Sequence, residues 1–113
     1  MKKNLPFLKH IRDEINFLLK ETKGITFEVF TSNESLKRAS ARSFEIIGEA
    51  VKNLSINIKN KHKDIDWKNI AGMRDKIIHF YFGVDYSILW QIIQDKLPDL
   101  HVKIEKIIKE TEE

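Results

Sequence analysis

Five side chains capable of chemistry fall between positions 74 and 81: Arg74, Asp75, Lys76, His79 and Tyr81. An imidazole titrates near neutrality and can take or give a proton. A guanidinium presents planar donors that match phosphate oxygens. Cleavage of RNA without a metal, by attack of a 2′-hydroxyl on the adjacent phosphorus, needs a base, an acid and a cation for the crowded phosphate. One histidine cannot be base and acid at the same instant. Two copies of the chain related by a twofold axis would supply two histidines and two arginines, so a composite cleft between subunits is the economical arrangement. The histidines and carboxylates follow no known metal-ligand spacing, so no metal and no cofactor is called for.

The geometry depends on the element that carries these residues. The stretch IDWKNIAGMRDKIIHFYFGVD reads as a helix that starts after a capping Asp66 and ends at Gly83. On such a helix Asp75 and His79 lie one turn apart, and the carboxylate is placed to orient the imidazole. Arg74 and His79 are separated by about 140° and about 7.5 Å of rise, so they meet only if the arginine bends toward a shared cleft. Tyr81 sits roughly 200° beyond His79 and joins the cluster only where the helix ends.

The rest of the chain reads as helical scaffold. Leu8, Ile11, Ile15, Leu18 and Leu19 recur at three and four residues, which predicts an amphipathic helix from about 5 to 22, with Pro6 in its first turn. His10 and Asp13, three apart, read as a surface pair. The run ITFEVFT reads as an apolar connector or short helical turn, with Phe27 and Phe30 as core or interface anchors. A second helix is expected from a cap near Asn33 to about 61, carrying Leu36, Phe44, Ile47, Val51 and Leu54. Gly48 lies inside it, at a cost of about 1 kcal/mol relative to alanine, which points either to close approach of another helix backbone or to simple tolerance of the glycine. Glu45 and Glu49 share one face, and Arg42 is placed to pair with Glu45. A basic break, KNKHKD, separates this helix from the next. Asp85 is expected to cap a fourth helix with Ile88, Leu89, Ile92 and Ile93, which Pro98 ends. A last helix, to about 109, carries Val102, Ile104, Ile107 and Ile108, and the tail after it is expected to fray.

These elements predict an all-α fold: a small up-and-down bundle of four to five helices forming one domain over 1–113. With 113 residues the core is real but modest, and a deep pocket would compete with it for side chains. The chain has no cysteine, which excludes disulfides and thiolate chemistry. No apolar run is long enough to span a bilayer and no secretory leader is apparent, so a cytoplasmic protein away from membranes is expected. The charge of +3, from 20 basic and 17 acidic residues, is compatible with RNA but does not demand it.

The stretch WKNIAGMRDKIIHFYFGVD, together with RSFEIIGEAVKNL at 42–54 and LPDL at 97–100, strongly resembles the HepT-like proteins of the HEPN superfamily. The resemblance covers nearly the whole chain. Its signature is an arginine, four residues, a histidine, one residue and a tyrosine: here Arg74, His79 and Tyr81. It implies a helical bundle that forms a homodimer or higher even oligomer, with both signatures facing a shared cleft. It further implies the toxin of a two-gene toxin–antitoxin system, a metal-independent ribonuclease acting on RNA. The implied partner is an MNT-type nucleotidyltransferase antitoxin that silences the toxin by transferring AMP to the signature tyrosine. Arg74 and His79 would then be the nuclease pair and Tyr81 the AMP acceptor, with Arg42, Glu45 and Glu49 supporting the cleft. The family often has asparagine after the signature arginine, where this chain has Asp75. A carboxylate there repels phosphate, yet can pair with Arg74. The competing expectation is a non-catalytic helical dimer that holds the nucleotidyltransferase or a nucleotide.

Overall fold

The computed structural model describes residues 3–79 and 83–112. Helix α1 (Leu5–Thr22) carries Pro6 in its first turn, where a missing N–H costs nothing. Leu8, Ile11, Ile15 and Leu18 are completely buried along one stripe. Gly24, at φ +76°, turns the chain in a conformation that favours glycine. Thr26 then caps α2 (Phe27–Ser32) by accepting from the Val29 N–H. The connector read from ITFEVFT is therefore a short helix. Its Phe30 is fully buried, with ring centroids 5.2 Å from Trp90 and 6.2 Å from Tyr86.

Asn33 caps α3 (Glu34–Lys52) through the Leu36 N–H, as expected. Phe44, Ile47 and Val51 face the core, and Ser43 donates to Glu14 of α1 at 2.7 Å. The expected continuation to 61 does not occur. Asn4 accepts the Ser55 N–H at 2.8 Å and donates to the Ser55 hydroxyl at 2.9 Å. That hydroxyl accepts from the Ile58 N–H and so starts a separate helix, α4 (Ile56–Lys61). The break is thus specified by a contact from the N-terminus, invisible to local periodicity.

The stretch read as one helix to Gly83 is also divided. Asp66 does cap α5 (Trp67–Ala71), accepting from the Asn69 N–H, and the Trp67 indole donates to the His62 carbonyl at 3.0 Å. At Gly72 the chain steps into α6 (Met73–Ile77). The helix ends there, and β1 (Ile78–His79) pairs antiparallel with β2 (Gly83–Val84), Ile78 opposite Val84 and His79 opposite Gly83. The Asp85 N–H donates to the Ile77 carbonyl at 2.6 Å. The physical reason is composition: IIHFYF is β-branched and aromatic, which favours extended backbone over helix. Gly83, at φ +79°, is the first residue of β2 and not the end of a helix.

Asp85 caps α7 (Tyr86–Asp95) through the Ile88 N–H, as expected. Helix α8 (Leu97–Glu112) follows after Lys96, with Pro98 in its first turn. It stays helical through Glu112, so the expected fraying does not occur over the described residues. The core lies where α1 packs on α3 and α8, with α7 against α8 and α5–α6 against α3. The architecture is an all-α bundle with a two-residue-per-strand hairpin inserted after α6. No helix among the described residues is long and apolar enough to cross a membrane.

Candidate functional site

Gly48 sets the position of the site. A Cβ on this residue would stand 3.2 Å from the Ala71 carbonyl oxygen, so α3 and α5 approach closely through their backbones. That contact bears out the reading of a glycine retained for helix approach. It also fixes where α6, one step beyond Gly72, carries Arg74.

Arg74 reaches back over α3. Its Nε lies 3.6 Å from Glu45 Oε2, and an NH1 nitrogen lies 3.5 Å from Asp75 Oδ1. The arginine is half exposed and the Glu45 carboxylate about one-third exposed. Screening by water makes the pair worth little for stability, but it draws the guanidinium toward the face of α3. Glu45 therefore pairs with Arg74 rather than with Arg42. Arg42 is exposed and makes no ion pair or hydrogen bond among the described residues.

These side chains share an open groove of about 430 Å3. Its floor is the outer face of α3, with Arg42, Glu45 and Glu49. One bank is Phe7 and His10 of α1, and the other is Ala71, Arg74 and Asp75. Five of the expected site residues are thus brought together: Arg42, Glu45, Glu49, Arg74 and Asp75. His79 sits in β1 rather than one helical turn beyond Asp75, so the helical geometry expected for that pair does not hold. The His79 side chain and the whole of Tyr81 lie outside the described residues.

Two lining residues were not expected. His10 does not pair with Asp13, which instead binds Arg12 at 3.0 Å. The His10 ring meets Phe7 edge to face, centroids 6.3 Å apart at 87°. Phe7, His10 and Glu14 run at helical spacing beside the buried stripe of α1. The contact of Glu14 with Ser43 shows which neighbour that edge faces. Only tertiary placement reveals this.

The groove is electrically balanced, with Glu45, Glu49 and Asp75 against Arg42, Lys52 and Arg74. A second concavity of about 280 Å3 lies where α5 and α6 meet α7 and α8. Its apolar floor includes Ile70, Met73 and Leu97, and its Lys103 is tied to Asp99 at 3.2 Å. Among the described residues no arginine or histidine lines it, so the groove over α3, which holds Arg42, Arg74 and His10, is the better chemical candidate. Among the described residues, no group of three or more His, Asp or Glu is placed to hold a metal ion.

The site thus belongs to an all-α bundle in which α3 carries EIIGEA beneath an arginine from α6. Residues 11–107 match the family described as ribonuclease HepT-like, and the chain belongs to that family. It is 50% identical over 109 residues to a protein of Caldanaerobacter subterraneus subsp. tengcongensis named "Putative RNase", covering 96% of this chain and 97% of that one. A "Putative RNase" of Methanocaldococcus jannaschii is 44% identical over 106 residues, 94% of this chain and 88% of its own. "Probable ribonuclease HepT" of Thermococcus cleftensis is 41% identical over 103 residues, 91% of this chain and 94% of its own. No solved structure matches the chain significantly.

Proposed function

We propose that this protein is the toxin of a toxin–antitoxin pair, an endoribonuclease that cleaves RNA by attack of the 2′-hydroxyl on the adjacent phosphorus. The observation that carries the reading is the Arg74 guanidinium, presented over a groove by Glu45 of α3 in a chain of the HepT-like ribonuclease family. Arg74 neutralises charge on the pentacoordinate phosphate. His79 from one copy removes the 2′-hydroxyl proton, and His79 of a second copy protonates the departing 5′-oxygen. The products are a 2′,3′-cyclic phosphate and a free 5′-hydroxyl. The reaction needs no metal or cofactor, because base, acid and cation are all side chains.

In the same reading an MNT-type nucleotidyltransferase silences the toxin. The Tyr81 phenol oxygen attacks the α-phosphorus of ATP, forming the phosphodiester and releasing pyrophosphate. The added AMP brings bulk and a negative phosphodiester, and both oppose RNA phosphate. The alternative, a dimeric module that binds the nucleotidyltransferase or a nucleotide without cleaving RNA, draws on the balanced charge of the groove and the second carboxylate, Asp75, on Arg74.

The test is RNA cleavage by the wild type, Arg74→Ala and His79→Ala, alongside intact mass after co-expression with the nucleotidyltransferase. We expect at least a hundredfold loss of cleavage in each variant with folding retained, consistent with removal of a charge stabiliser or proton carrier. A mass gain of one AMP on Tyr81 should abolish cleavage by the wild type. A wild type that binds its partner but never cuts RNA would establish the binding module instead.

A further inference from the structure

Electrical balance makes the α3 groove a poor site for a bare phosphate ion. It suits a ligand that brings a phosphate together with something for the carboxylates and the rings. The Phe7–His10 bank supplies an aromatic surface: Phe7 packs partly into the core and braces the exposed His10 ring edge to face. Arg42 supplies a cation without a competing carboxylate, since no ion pair or hydrogen bond among the described residues engages it. Glu49, one turn from Glu45 and also exposed, supplies an acceptor. A volume of about 430 Å3 lies within the size range of clefts for small ligands.

We infer that this groove is a nucleotide subsite for single-stranded RNA, in which an unpaired base stacks on His10, its amino edge meets Glu49, and its phosphate meets Arg42. The inference rests on the RNA substrate of the reading above and adds how a nucleotide beside the scissile bond is gripped. Stacking on one ring is tolerant of base identity. A carboxylate that accepts from an exocyclic amino group favours adenine, cytosine and guanine over uracil, which has none. His10 here binds through its ring face and carries no proton in the reaction.

The probe is a labelled 2′-O-methyl RNA oligonucleotide, which binds but cannot be cut, so affinity is read separately from cleavage. Adenine- and cytosine-rich oligonucleotides should bind the wild-type protein better than uracil-rich ones, and Glu49→Ala should erase that preference. His10→Ala should weaken binding on the order of tenfold, and His10→Phe should restore it to within about twofold. Arg42→Ala should lower the slope of log affinity against log salt by about one phosphate's share. The subsite is overturned if His10→Ala binds like wild type, or if His10→Phe is as weak as His10→Ala. It is also overturned if His10→Ala changes the mass of the assembly, since the face would then be a subunit contact. Binding that behaves as expected in a protein that never cleaves RNA would refute the nuclease and leave the subsite standing.

Discussion

The long helices and the short segments after α4 follow different rules. Helix α1 buries its apolar stripe against both α3 and α8, and these three helices carry most of the core. Between α4 and α7 the chain uses two five-residue helices and a hairpin of two-residue strands. Helices that short are not stable on their own and hold their shape by tertiary packing, mainly on α3. The arginine belongs to the second region and the carboxylate that anchors it to the first. The site is therefore a junction: a stiff helix supplies the floor, and an irregular segment brings chemistry to it.

The comparison breaks most severely if the scaffold itself is damaged. Phe44 is completely buried on α3 between the groove floor and the core. Phe44→Ala should lower unfolding free energy by about 3–5 kcal/mol, measured by urea denaturation. A loss below about 1 kcal/mol would mean that α3 is not the central support described here.

Helix periodicity made the scaffold legible. Apolar spacing gave α1 its bounds, and Asn33, Asp66 and Asp85 each cap the helix they were expected to cap. The failures share one cause, which is that a distant or non-periodic influence decided the local structure. Asn4 interrupts α3 from about fifty residues away in sequence. The β-branched and aromatic run after Ile77 overrides the helical spacing of Arg74, Asp75 and His79. The candidate site was legible in part. Arg42, Glu45, Glu49, Arg74 and Asp75 do line one groove, and Arg74 does meet Asp75, but Glu45 pairs with Arg74 and not with the expected Arg42. The α1 bank, Phe7 and His10, was missed because nothing in a linear sequence relates position 10 to position 74.

A smaller change should loosen the junction and spare both regions. Gly48→Val places branching carbons where even a Cβ stands 3.2 Å from the Ala71 carbonyl. Backbone must give way, at a cost of about 1–3 kcal/mol. The α5–α6 segment should move outward and take Arg74 with it. Cleavage should then fall by more than the stability loss predicts at a temperature where the variant stays folded. Equal activity per folded molecule would show that Arg74 does not depend on this approach.

The smallest stability effect belongs to Glu45→Gln, and it sharpens the comparison most. The pair with Arg74 is exposed to water, so unfolding free energy should change by no more than about 0.5 kcal/mol. The amide keeps an oxygen beside the guanidinium but gives up the charge that attracts it. Removing one of three carboxylates also tips the groove to net positive. RNA should therefore bind a few-fold more tightly at low salt, with a lower KM, as phosphate meets less repulsion. In opposition, kcat should fall, because an arginine that is no longer oriented stabilises the transition state less well. A joint decrease in KM and kcat would show that α3 contributes orientation to the chemistry as well as support to the fold. An unchanged kcat would reduce the Glu45–Arg74 contact to an ordinary surface pair, and the placement of Arg74 would then rest on the Gly48–Ala71 approach alone.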